Sequence, residues 1–100
     1  MTCYSVLAVT PTSENWIPGY TGAASKLVAK HGGKYLARTA SHERLEGGGD
    51  DDALRVIIEW PSREAAIAFM QDPDYIPLLE ARTAGSDSRH VLIEGTDDLA

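Results

Sequence analysis

Apolar positions along the chain switch four times between a period of two and a period near 3.6. From Met1 to Val9, Cys3, Ser5, Leu7 and Val9 point one way and Tyr4, Val6 and Ala8 the other; both sides are apolar enough to be covered, which predicts a central strand. Thr10-Pro11-Thr12-Ser13 breaks it and offers Thr12 or Ser13 as a helix cap. Pro18-Gly19 predicts a short helical turn before it and a longer helix after it, with Ala24, Leu27, Val28 and His31 on one face and Gly32 as a left-handed cap. Lys34 to Ser41 reads as a second strand, with Leu36, Arg38 and Ala40 opposite Tyr35, Ala37 and Thr39. Leu54 to Trp60, centred on Val56-Ile57-Ile58, is the third. Ser62 caps a helix through Gln71 that buries Ala66, Phe69 and Met70, and Asp72-Pro73-Asp74 restarts a helical segment to Ala84 with Tyr75, Leu78, Leu79 and Arg82 on one face. Gly85 to Ser88 reads as a turn and Arg89 to Glu94 as the last strand.

The order βαββαβ in one short chain predicts an α+β domain: a four-stranded antiparallel sheet with both helices on one face. One domain spans 1–100, with a core over about 3–95, a flexible acidic loop at 47–53 and a frayed tail at 96–100. Strands apolar on both faces leave a sheet face to be covered, and a second copy of the chain is the expected cover, hence a homodimer.

Composition narrows the partners. Residues 1–50 carry five basic and four acidic side chains, residues 51–100 four and eleven, and the whole chain is at −6. That argues against nucleic acid, which needs a basic footprint, and against an anionic membrane surface. No apolar run is long enough to span a bilayer, and the start of the chain lacks the basic-then-apolar pattern of a signal peptide. The single cysteine, Cys3, cannot form an internal disulfide, which fits a cytoplasmic location.

Several side chains can carry chemistry. Arg82 lies on a stripe otherwise filled by Leu78 and Leu79, so its guanidinium enters or rims the space between helix and sheet; it reads either as a structural partner of Glu46 or as a clamp for a carboxylate or phosphate. Arg38, near the end of the second strand, is a second substrate-binding candidate or an exposed strand arginine. Glu46 moves a proton if held in an apolar pocket and is a structural anion if it meets an arginine. His31 reads as an acid or base facing the sheet, or as a last-turn histidine favoured by the helix dipole. Tyr75 shares the Arg82 stripe and is the strongest hydroxyl candidate, ahead of Tyr4, Tyr20 and Tyr35, though Tyr4 with Trp60 also reads as a possible substrate contact. His42 and His90 are left in a loop and in a strand of unassigned facing. The histidines have no metal-ligand spacing, Asp50-Asp51-Asp52 lacks the alternation of a calcium loop, and no dinucleotide, flavin or haem fingerprint is present, so neither metal nor cofactor is expected.

Five segments in order carry a family resemblance: Lys30-His31-Gly32-Gly33-Lys34-Tyr35-Leu36-Ala37-Arg38; Leu45-Glu46-Gly47; Ile58-Glu59-Trp60-Pro61-Ser62-Arg63-Glu64-Ala65-Ala66; Asp74-Tyr75 through Leu79 to Arg82; and Val91-Leu92-Ile93-Glu94-Gly95. Together they resemble the family called domain of unknown function 1330, within the dimeric α/β-barrel superfamily, from about Tyr4 to Gly95. The resemblance implies a ferredoxin-like fold whose two sheets meet in a dimeric barrel. Relatives in the wider superfamily include cofactor-independent oxygenases of polyketide quinones, haem-degrading oxygenases, lactone isomerases and stress proteins, an analogy at the level of fold. The chain departs from the pattern at Asn15-Trp16-Ile17-Pro18 and in the Gly/Asp-rich loop. The expectation is a small cofactor-independent enzyme acting on a small anionic or enolisable metabolite by isomerase, cyclase, lyase or oxygenase chemistry; the alternative is a non-catalytic ligand-binding or accessory dimer.

Overall fold

In β1 (Cys3–Pro11), the alternation of the sequence becomes a sheet with two different faces: Cys3, Ser5, Leu7 and Val9 are buried while Val6 is exposed. The structure, a computed structural model, describes residues 1–49 and 52–100. After β1 come α1 (Ile17–Lys30), β2 (Lys34–Thr39), β3 (Leu54–Trp60), α2 (Arg63–Met70), α3 (Ile76–Ala84) and β4 (Ser86–Glu94). The strands form one antiparallel sheet in the order β2-β3-β1-β4. Leu7, Val9, Val56, Ile58 and Trp60 on its inner face meet Ala24 and Val28 of α1 and Ala66 and Phe69 of α2, so the helices share one face. This is the ferredoxin-like α+β arrangement.

Three helices rather than two cover the sheet, because the second crossover bends at Asp72-Pro73-Asp74 into α2 and α3. The Asp74 N–H donates to Asp72 Oδ1 (2.9 Å) and fixes the corner. Ser62 caps α2 by accepting from the Ala65 N–H (3.1 Å). Pro18 does not divide α1 as expected. It lies in the first turn, where its missing N–H has no partner to lose, and the helix runs on unbroken from Ile17.

Strand limits also move. β4 starts at Ser86 rather than Arg89, since Ser86 and Ser88 continue the inward alternation, and the ladder to β1 runs from Pro11↔Ser86 to Cys3↔Glu94. β2 stops at Thr39 and holds a bulge between Tyr35 and Ala37. The bulge overturns the expected placing of Arg38 and Tyr35 on opposite faces: with Tyr35 opposite Ile58 and Arg38 opposite Val56, both side chains point to the inner face. Asp50 and Asp51 of the expected acidic loop lie outside the described residues. The Gly95 N–H still donates to Thr2 O (2.8 Å), and residues 96–100 beyond it are exposed.

Trp60, fully buried, is the centre of the core. Its Nε1–H donates to Ser5 Oγ (2.8 Å), which gives a polar group inside the core its partner. Phe69 packs on Trp60 with ring centroids 5.1 Å apart and on Tyr75 at 4.0 Å. The turn after α1 sits directly against this ring: Gly32 has φ +79°, and a Cβ on Gly33 would lie 2.6 Å from the Trp60 ring and 2.7 Å from Val28. Gly33→Ala is expected to destabilise the fold by about 1–3 kcal/mol through this overlap, read as a lower urea midpoint, whereas Gly22→Ala, inside α1 with a Cβ that meets nothing, is expected to raise the midpoint slightly.

Candidate functional site

Between the helices and the inner sheet face lies an open cavity of about 90 Å³, walled by Leu7, Val56 and Ile58 from the sheet and by the rings of Trp16, Tyr20, Tyr35, Phe69 and Tyr75. Arg38, Arg82 and His90 supply its strongly polar groups, and no Asp or Glu lines it among the described residues.

Arg82 reaches it from the last turn of α3 and is only 5% exposed. Its Nη1–H donates to Tyr20 Oη (3.2 Å), and its Nε has no hydrogen-bond partner. Among the described residues no carboxylate pairs with Arg82, so its expected pairing with Glu46 does not form. Removal from water disfavours a lone cation by several kcal/mol, roughly, unless an anion or hydrogen-bond acceptor meets it. Tyr20 and Tyr75 share one hydrogen bond between their hydroxyls (2.7 Å). Two phenols sharing one bond leave one hydroxyl hydrogen over, and burial pushes the Tyr75 phenol far up, so Tyr75 keeps its proton. Arg38 is exposed at the rim, stacked 4.0 Å over the Tyr35 ring and donating to Ser25 Oγ (2.7 Å).

His90 enters the same cavity from β4, opposite Leu7 of β1. Its Nε2 lies 2.8 Å from Ser5 Oγ, the atom that accepts the Trp60 N–H. Burial first, and the Arg82 charge second, pull the imidazole down to about 4, so it is neutral near pH 7. The arrangement presents donors, a buried guanidinium and a second one at the rim to an oxyanion inside an apolar wall, which is what stabilises a carboxylate, an enolate or a phenolate.

Of the residues expected to form a site, Arg38, Tyr75 and Arg82 are brought together here. Trp60 is not: it is enclosed in the core below. Tyr4 is on the outer sheet face, in register with Glu59 and Ile93. Glu46 is exposed in the segment after β2 and does not line the cavity. His31 turns away from the sheet: its Nε2 is 2.7 Å from Asp72 Oδ2, which also accepts from Lys30 Nζ (2.9 Å). Sequence reasoning left His90 unassigned. The signal was the alternation Ser86, Ser88, His90, Leu92, hidden because its first members are polar and resemble a turn.

The comparisons agree with the architecture. The family described as Domain of unknown function (DUF1330) matches residues 2–96. A protein of unknown function from Rhodopseudomonas palustris, RPA0582, is 20% identical, with 96% of this chain and 83% of that chain covered and a TM-score of 0.74. SnoaB, a cofactor-independent oxygenase from Streptomyces nogalater, is also 20% identical, with 98% and 96% covered and a TM-score of 0.69. Comparison with curated proteins returns no match.

The Asp72 cluster yields a pH prediction. The hydrogen bond from His31, then that from Lys30 and the Asp74 N–H, hold the Asp72 carboxyl well below the usual carboxylate range. A carboxyl depressed in the folded state adds stability above its unfolded value, about 3.9, and loses it as pH falls from there towards the folded value. The urea midpoint is therefore expected to fall on acidification below about pH 4, less steeply in Asp72→Asn, which starts lower near neutrality.

Proposed function

Since the chain belongs to the DUF1330 family, we propose that it is a small homodimeric enzyme, with one cavity per subunit, acting without a built-in cofactor on a small anionic or enolisable organic molecule. Arg82 carries this reading: a buried guanidinium with an unpartnered Nε, facing an apolar cavity with no carboxylate to hold it. Arg82 would grip the anionic oxygen, the Tyr20–Tyr75 pair would donate its spare hydroxyl hydrogen to it, and Arg38 would close over the rim. Negative charge gathering on that oxygen is stabilised in place, which suits the oxyanion that isomerisation, cyclisation, elimination and cofactor-free oxygenation share. Likeness in fold to SnoaB, itself a cofactor-independent oxygenase, supports the last of these. Glu46, His31, Trp60 and Tyr4 have no part in this reading, because none of them lines the cavity. The space is smaller than the ~150 Å³ engineered cavity that takes up benzene, so it takes the anionic end of a small acid and leaves the rest at its open mouth.

The experiment is a thermal-shift panel of small carboxylates, phenols, lactones and quinones on wild type and Arg82→Met, followed by turnover assays with whatever binds. A ligand at about 100 times its dissociation constant adds about 2.7 kcal/mol, a shift on the order of 10 °C or more in a domain of this size. Arg82→Met is expected to be folded, at least as stable as wild type without ligand, and blind to the panel. A strongly destabilised Arg82→Met with a flat wild-type panel would overturn the reading, and binding without turnover would make the protein a carrier of the same ligand.

The dimer rests on the outer sheet face. Ile57, Val6 and Val91 are in register across β3, β1 and β4, all exposed, with Ile93 beside them. Sedimentation is expected to give the mass of two chains for wild type and of one for Val6→Lys; a wild-type mass of one chain at micromolar concentration sinks the dimer.

A further inference from the structure

The charge of the cavity runs against the charge of the chain. Fifteen acidic and nine basic side chains leave the protein at −6, yet among the described residues neither this cavity nor the small apolar pocket on the far side of His90 contains a single Asp or Glu. His90 is surrounded by groups that are neutral or positive. α3 presents Arg82, β1 presents Ser5, and α2 presents only Ala66, Ile67 and Met70; the other titratable groups of the cavity are Arg38 and the phenols of Tyr20, Tyr35 and Tyr75.

The ring is held by one nitrogen. Nε2 lies 2.8 Å from Ser5 Oγ, and Nδ1 makes no hydrogen bond to the described residues. Ser5 Oγ serves either charge state of the ring. With the imidazole neutral, the hydroxyl accepts from Trp60 Nε1 and can donate to Nε2; with the imidazole charged, its two lone pairs can accept from both. Protonation therefore keeps the Nε2–Ser5 contact with its direction reversed, and costs the buried Ser5 hydroxyl hydrogen its acceptor.

We propose that His90 is a conditional second buried cation beside Arg82, with Arg38 out at the rim: neutral while the cavity is empty, it takes up a proton from solvent when an anionic ligand settles on Arg82, so that the ligand binds together with a proton. The proposal rests on the reading above that Arg82 holds an anion. In the empty cavity, burial and then the Arg82 charge hold the imidazole down to about 4. An anion against Arg82 cancels that repulsion and adds an attraction of its own. Because binding raises the histidine's value, the extra affinity is fully present below the empty-state value and fades as pH rises through the liganded value. Between the two, affinity climbs as pH falls, by at most about tenfold per pH unit for one proton. His90 thereby makes the cavity selective for acids over neutral molecules of the same shape, and most of all for ligands with two adjacent negative charges.

Two measurements test this. Imidazole NMR titrations of wild type, Arg82→Gln and Arg38→Gln are expected to show the His90 midpoint moving up when the Arg82 charge is removed and staying near its wild-type position in Arg38→Gln. An unmoved midpoint in Arg82→Gln overturns the proposal without any ligand being known. Calorimetry with benzoate and phthalate near pH 6, where simple carboxylates are ionised, in two buffers of different ionisation enthalpy, is expected to show proton uptake on binding. The uptake is expected to be larger for phthalate and absent in His90→Gln. Binding with no proton uptake, equally tight as pH rises, overturns the proposal while leaving the anion site standing. Failure of both acids to bind overturns the anion site and this proposal with it.

Discussion

Asp72 gathers Lys30, His31 and the Asp74 N–H around one carboxylate at the point where α1 ends and α2 turns into α3. The three helices are short, and helices of this length do not hold together by propensity alone. Their places are set by the apolar faces they bury and by this one polar knot, which joins the end of the first crossover to the middle of the second. Tyr75 follows the corner by three residues and Arg82 by ten, so the direction in which α3 leaves the corner fixes both. Phe69, on the other side of the same corner, carries the constraint into the core through its contact with Trp60.

What the helices enclose is less comfortable than what holds them. A guanidinium without a counter-charge, and a histidine kept neutral beside it, are arrangements that a sequence selected for stability alone would replace with leucine and methionine. Apolar substitution of buried charge is often neutral or stabilising. That these groups sit in one cavity, with tyrosine hydroxyls in reach and no carboxylate, separates a site from a core. The polar groups that serve only the fold are satisfied: Trp60 on Ser5, Ser62 on Ala65, Asp72 on three donors.

Periodicity was enough for the architecture, because burial on one sheet face and one stripe of each helix is written directly in the positions of Leu7, Val9, Val56, Ile58, Ala66 and Phe69. It was enough for Arg82 too, whose stripe partners Tyr75 and Leu79 announce an inward face. It failed where one residue changes parity. The extra residue in β2 brings Arg38 onto the same face as Tyr35 instead of the opposite one, and no local composition marks it. It failed again in β4, where inward positions are occupied by serines and a histidine and resemble a loop. The roles of Glu46 and His31 depend on where a long connection and a distant aspartate come to rest, and spacing along the chain holds no information on either.

The opposition between a basic cavity and an acidic exterior has a kinetic side. An anion approaching from bulk water first meets the field of a body at −6, and feels Arg82 only within about a Debye length, roughly 8 Å at physiological ionic strength. For the proposed anionic ligand, encounter is then slowed by repulsion while the bound state is held by attraction, so added salt would speed arrival as it loosens the final grip. For such a ligand the usual electrostatic funnel is inverted: the exterior repels what the cavity would hold.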